Sequence, residues 1–377
     1  MSLGSIRIRD HVAVRRDECV TEGRRFAEIG TLWNALPYAS LFLSWEWLDC
    51  WWQCFGGDAR MCVFLNWDGP QLAAGLACGV RGQHLFAMAD KRSDLFRPLG
   101  RTERDLDAVL EPVAEGPWSR ITVRGLPVDD LPAGRLEAAL GSRGWLMHRT
   151  FRETCPVVRT DGDYAEYRAG LGGKTRSNTS RHRRNLERAG RVEVRPLEPV
   201  LDLDAVLGES FGLEAAGWKG RSGKAVLSSQ GEERFWHEVY ARFHRLGRLR
   251  FSELRLDGAL IAFSLDVVHR GRLYGLKTSY DEAYARHAPG CVLLMAMIEA
   301  AFASDIEAIE MLGPASPHKQ RYATESRDTL ILRAYRRRPI SEARYRGREW
   351  IIPRVRPLYV KPREALDRIR ERGLGRA

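Results

Sequence analysis

The chain has no apolar run near the ~20 residues that span a bilayer, and its first twenty residues mix charges with short aliphatics instead of forming a signal-peptide core. The expectation is a cytoplasmic protein. Paired cysteines are also missing: seven are scattered at positions 19, 50, 54, 62, 78, 155 and 291, with no CxxC spacing. That argues against a disulfide framework and a cysteine-built zinc site. Histidine is sparse, and the one approach to HExxH, at His237-Glu238, has Ala241 where the second ligand belongs. No metal is expected. A Walker A loop fails too, because the run from Arg168 to Thr175 opens on Arg where glycine is required, and residues 160–167 are not a buried strand.

What remains is an ordinary globular composition, 44% hydrophobic over 377 residues, enough for two cores. The expected division is 1–155, 156–338 and a basic tail, 339–377. The net charge of +11 is unevenly placed, since residues 333–377 hold fifteen Lys/Arg against five Asp/Glu. Within this tail Tyr345, Trp350, Ile351, Ile352, Val355 and Leu358 alternate with basic groups. Residues 340–377 are therefore expected to reach an anionic membrane surface, each cation there contributing ~1 kcal/mol. A solubilising tail or a nucleic-acid contact is the rival reading.

The first half opens with a strand-like stretch, Ile6–Val14, and a helix near 24–35. A tryptophan-rich helix follows, capped by Ser44 and closed by Gly56-Gly57. Strands are expected at 59–67, 71–80, 84–88 and 119–124, with helices near 103–114 and 134–142. The second half repeats that order. Helices over 174–188, 203–213 and 232–246 lead into a meander at 249–256, 259–268 and 272–279, joined by Asp257-Gly258 and Arg270-Gly271. A loop through Arg286, Pro289 and Gly290 then enters an apolar helix from Cys291, with strands at 306–312 and 329–335. The fold class expected is α+β, two tandem halves, each a mixed and mainly antiparallel sheet flanked by helices.

The run YARHAPGCVLLMAMIEAAFASDIEAIEML, followed by HKQRY, resembles the CelD-like GNAT acyltransferases, a group related in fold to the FemX-like peptidoglycan ligases. The resemblance covers about residues 160–335. It departs from that pattern at His318, where the group has Tyr, and around Arg286–Cys291, which only approximates the common pyrophosphate loop. It implies an acyl-CoA lying where the fourth and fifth strands of the second half part. Thr278 and Ser279 would hold the pantetheine, and Arg286, Pro289, Gly290 and Cys291 would meet the pyrophosphate at a helix start.

The implied chemistry is direct attack of an amine on the thioester. Lys319 is the candidate for the charge at the carbonyl oxygen and Tyr322 for the proton to the thiolate. Glu253 is the candidate base, with Glu214 as its rival. Glu214, Trp218, Lys219 and His318 are assigned to the acceptor, the glycine-rich stretch around Trp218 forming a lid. The acceptor expected is an amino sugar or long-chain lipid amine of the cell envelope. The basic helix over 174–191, with seven Lys/Arg against one acid, keeps open an aminoacyl-tRNA donor as in the FemX-like relatives. A non-catalytic binding protein is the third reading.

Overall fold

The computed structural model describes residues 15–37 and 39–337, together with 342, 345 and 347. The expected strand at Ile6–Val14 and nearly all of the basic tail lie outside these residues.

The first half runs β1 (Arg15–Val20), α1 (Gly23–Glu28), α2 (Gly30–Asn34), α3 (Trp45–Phe55), β2 (Arg60–Asp68), β3 (Gln71–Arg81), β4 (His84–Ala87), β5 (Leu99–Gly100), α4 (Glu103–Glu115), β6 (Arg120–Pro127), α5 (Leu131–Ser142) and β7 (Leu146–Arg159). The second continues through α6 (Tyr164–Gly170), α7 (Gly173–Ala189), β8 (Val192–Pro199), α8 (Leu203–Ala216), α9 (Trp218–Arg221), α10 (Gln230–Arg245), β9 (Leu249–Leu256), β10 (Ala259–His269) and β11 (Arg272–Tyr280). It ends with α11 (Pro289–Phe302), β12 (Ala308–Glu310), α12 (Pro317–Gln320) and β13 (Glu325–Tyr335).

Local chemistry sets many boundaries. The Ser44 hydroxyl accepts from the Trp47 amide to start α3, and Thr102 and Asp105 close a reciprocal box at the start of α4. Strands β2 and β3 are buried along almost their whole length, as expected where helices cover both faces of a sheet.

The strands make one continuous sheet, ordered β1-β2-β3-β4-β6-β13-β7-β12-β11-β10-β9-β8, with β5 beside β3. Each half has four antiparallel strands followed by one parallel neighbour, β4 beside β6 in the first and β11 beside β12 in the second. The halves are exchanged at the centre. Strand β7 starts against β13 and finishes against β12, while β13 lies against β7 along its whole length and takes β6 on its other edge from Thr329 onward. A boundary drawn after residue 155 therefore falls inside β7, which the sequence reading left unassigned.

Helices α3 and α10 seal the junction. Trp47 is fully buried and meets Phe235 and Trp236 edge-on, with ring centroids 5.3 and 6.0 Å apart. One hydrophobic core spans both halves, and a second lies between the β9–β12 region and α11.

Candidate active site

The β11–β12 ladder is short. It pairs Arg272 to Tyr274 with Ala308 to Glu310, after which β11 continues to Tyr280 and β12 ends. Within β11 the ladder to β10 skips Leu276, because Leu265 faces Lys277 and Asp266 faces Gly275. Such a bulge bends a strand and re-aims its backbone. The two strands thus part at the point where α11 begins beyond them.

Helix α11 opens on Pro289, which has no N–H to leave unpaired, after Ala288 in the left-handed region at φ 46°, ψ 54°. A non-glycine residue held there is strained, a feature that clusters at ligand sites. Gly290 leaves space at this turn: a β-carbon there would come no nearer than 3.8 Å to Tyr280. Cys291 sits in the first turn with its sulfur 3.6 Å from His318 Nδ1. Burial holds His318 below the usual imidazole range. The Arg286 side chain is turned to the neighbouring His287, donating from Nε to Nε2 at 2.9 Å.

A lysine stands on each lip of the opening. On the β11 side, Lys219 Nζ donates to the Thr278 carbonyl at 2.7 Å and to Glu214 Oε1 at 2.9 Å. On the β12 side, Lys319 Nζ donates to the Leu312 carbonyl at 3.0 Å. An ammonium has three donors, so each retains, among the described residues, capacity for a further acceptor. Burial pulls Lys319 below its ordinary range, with Asp94 opposing the shift.

The sequence reading missed the carboxylates beside Lys319. Asp94 accepts from the Gly313 amide at 2.8 Å and pairs with Arg152 at 3.3 Å. Burial, reinforced by the adjacent Glu153 charge, pushes its carboxyl up to about 7. A side chain at Gly313 would overlap the Glu153 carboxyl, so this crowding depends on glycine. Asp94, Glu153 and Cys155 each bring a potential ligand atom within 4.8 Å of one another. Arg152 and Lys319 place cations at that cluster.

A second buried group lies on the β10 side. Asp266 is completely buried, with Oδ1 accepting from the Ser264 hydroxyl at 2.7 Å and Oδ2 without a partner among the described residues. Burial raises its carboxyl to about 8. Lys277, pulled below its ordinary range by burial, rides 4.6 Å over the Trp236 ring and 3.9 Å from Glu214.

The structure gathers some of the expected residues and separates others. Thr278 and Ser279 lie on β11 beyond its ladder to β12, Pro289, Gly290 and Cys291 at the start of α11, and His318 and Lys319 on α12. Tyr322 is buried, edge-on to His318 and bonded to Thr179 and Cys291, and burial pushes its phenol up to about 12. Glu214 is not free to act as a base, since its second oxygen accepts from the Val226 amide at 2.8 Å. It pins the residues on either side of α9. Trp218, about half exposed, stands on that segment with its amide bonded to Glu282.

Glu253 is placed elsewhere. It lies on β9, two strands from the opening, and its oxygens are bound by Arg195 at 3.3 Å and Arg255 at 2.7 Å. Both of its oxygens are therefore occupied by guanidiniums, and Asp94 is the better-placed carboxyl.

Residues 173–320 match the family model described as acetyltransferase (GNAT) domain. Over this segment the chain is similar to GNAT acetyltransferases. Its matched segment ends just past Lys319 and takes in the opening, Lys219, the start of α11 and His318. None of the curated proteins matches the chain. Among solved structures, FemX superposes with a TM-score of 0.55 at 11% identity, over 83% of this chain and 96% of that one. The C-terminal domain of a putative lysylphosphatidylglycerol synthetase from Agrobacterium fabrum does so at 0.53 and 12% identity, over 85% and 95%. At these identities the likeness is one of fold, and it covers both halves of the chain.

Proposed function

We propose that the protein transfers an acyl group from acyl-CoA to an amine of a cell-envelope precursor, an amino sugar or long-chain lipid amine. The observation that carries this reading is the parting of β11 from β12, with a lysine ammonium on each lip and the start of α11 at its end. A helix start favours a pyrophosphate, and the exposed strand edge suits the amides of a pantetheine arm.

In this reading the amine attacks the thioester carbonyl directly. Lys319 steadies the oxygen as it gains charge, with Lys219 on the opposite lip. Asp94, with a carboxyl near 7, accepts the proton that the attacking nitrogen releases, since a base works best when its pKa lies near the operating pH. Tyr322 keeps its proton at neutral pH and, in this reading, exchanges its bond to Cys291 for one to the departing sulfur. Trp218 and the segment around α9 cover the acceptor.

The small-Pro-Gly turn at 288–290 and the Lys319 and Tyr322 spacing support placement near the CelD-like group. The envelope acceptor is supported by the fold likeness to a domain named for lysylphosphatidylglycerol synthesis. Among the described residues no helix is long and apolar enough to cross a membrane. Contact with an anionic membrane through 340–377 rests on sequence alone, and deleting that segment should abolish liposome binding.

The deciding experiment is the melting temperature with acetyl-CoA, a long-chain acyl-CoA and free CoA, followed by product analysis with glucosamine and a long-chain amine. A ligand at a hundred times its dissociation constant adds about 2.7 kcal/mol. No shift with any CoA species would overturn the donor assignment, and a shift with aminoacyl-tRNA instead would transfer the reading to that donor.

A further inference from the structure

The first half has its own parting of strands, where β4 ends at Ala87 while its parallel neighbour β6 continues to Pro127. No helix follows β4 as α11 follows β11; residues 88–98 are irregular. A cavity of about 410 Å³ opens here instead, within the size range of small-molecule sites.

Its floor is one face of three adjacent strands. On β6, Arg120, Thr122 and Arg124 alternate with the buried Ile121 and Val123. On β13, Arg333 stands opposite Thr122, and on β4, His84 and Phe86 stand opposite Arg120 and Thr122. Arg81 completes the basic rim, and Asp90 is the acidic member of the lining. Asp90 is already bound to Arg92.

Like charges gathered on one sheet face repel and destabilise it. The protein fixes them nonetheless. Arg120 donates to His84 Nδ1 at 2.8 Å and His84 Nε2 meets the Thr122 hydroxyl at 2.9 Å. Burial and the Arg120 and Arg81 charges depress His84 to about 4, so the ring is neutral and accepts from Arg120. The wall opposite is aromatic, with Trp51 and Phe55 from α3. Trp51 is 4% exposed, and its indole N–H meets no acceptor among the described residues.

We propose that this cavity binds the phosphate of a phosphorylated small molecule, its ring or chain lying against Phe86, Trp51 and Phe55. Guanidinium groups match phosphate oxygens with paired hydrogen bonds, and the indole N–H supplies a further donor at the aromatic side. The binding needs no acyl donor, so it stands or falls separately from the acyl-transfer reading.

The test is calorimetric titration of the full chain with phenyl phosphate and with inorganic phosphate. Phenyl phosphate should bind at least tenfold more tightly than inorganic phosphate, and an Arg124→Gln/Arg333→Gln double variant should lose at least tenfold in affinity for it. Circular dichroism and the unliganded melting temperature check the fold. Should the double variant not fold, Arg124→Gln alone carries the test, since Arg124 is exposed. Undetectable binding, equal affinity for the two probes, or an unchanged affinity in the variant would overturn the proposal. So would an equal loss in an Arg183→Gln/Arg184→Gln control on α7, which would mark non-specific anion binding.

Discussion

Lys219 and Lys319 face one opening from opposite sides, each holding a backbone carbonyl of its own lip, Thr278 on β11 and Leu312 beyond β12. Neither lysine is on a sheet strand; both are delivered by four-residue helices, α9 and α12.

Replacing Lys319 by Met should lower kcat about 10²-fold, the typical consequence of removing one donor to a developing oxyanion. Steady-state kinetics checks this, with melting temperature as the control for folding. Lys319→Arg should recover part of the loss. A variant with unchanged kcat would remove Lys319 from the chemistry.

The rate should rise with pH through about 7 as Asp94 loses its proton and becomes able to accept one. In Asp94→Asn the rate should fall about 10²-fold and the acidic limb near 7 should vanish from the kcat/KM profile. Persistence of that limb would assign it to another group.

Charge, not bulk, should decide binding at the start of α11. A β-carbon at Gly290 meets only ordinary contact distance, so Gly290→Asp should fold while placing a negative charge where the helix favours an anion. Its melting temperature should no longer respond to acyl-CoA, whereas Gly290→Ala should keep most of the response.

Asp266 makes stability depend on pH in a defined direction. Burial raises its carboxyl from the ordinary 3.8 to about 8, so between these values the folded chain binds more protons than the unfolded one. Stability from this group is therefore greatest at low pH and declines as pH rises through that window, levelling above about 8. Asp266→Asn should flatten the decline between pH 6 and 8 in a series of thermal melts.

A fragment beginning at residue 156 should not fold. It would lack the β7 residues that pair with Thr329 to Tyr335 and the β6 strand on the other side of that segment. Proteolysis and circular dichroism of the fragment check this, and a cooperative melt would contradict it.

The meander from Leu249 to Tyr280 was legible because apolar runs and two-residue turns are local signals, and its first strand ends where the pattern does. The basic helix and the Pro-Gly entry to α11 were legible for the same reason. Strand β7 was not: residues 146–153 mix His, Arg, Glu and Thr with apolar groups, and their strand state comes from pairing with residues about 180 positions later. Asp94 was unreadable because an aspartate in an irregular stretch looks solvated until Gly313 and Glu153 close over it. Glu253 misled in the opposite way, since its strand position was clear but its two arginine partners, one from β8, were not.

The crossing of β7 and β13 has a mechanical corollary. Each of these strands is hydrogen-bonded into both halves, so a hinge between the halves would have to shear a ladder running from Leu146 to Val157. The two halves form a single plate and do not open like jaws. What borders the opening on the β11 side is the short segment between Glu214 and Val226, tied down by the carboxylate of Glu214 to Lys219 at 2.9 Å and to the Val226 amide at 2.8 Å. Lifting that segment would also have to break the bonds of Lys219 to Thr278, of the Trp218 amide to Glu282 and of Arg221 to Glu282.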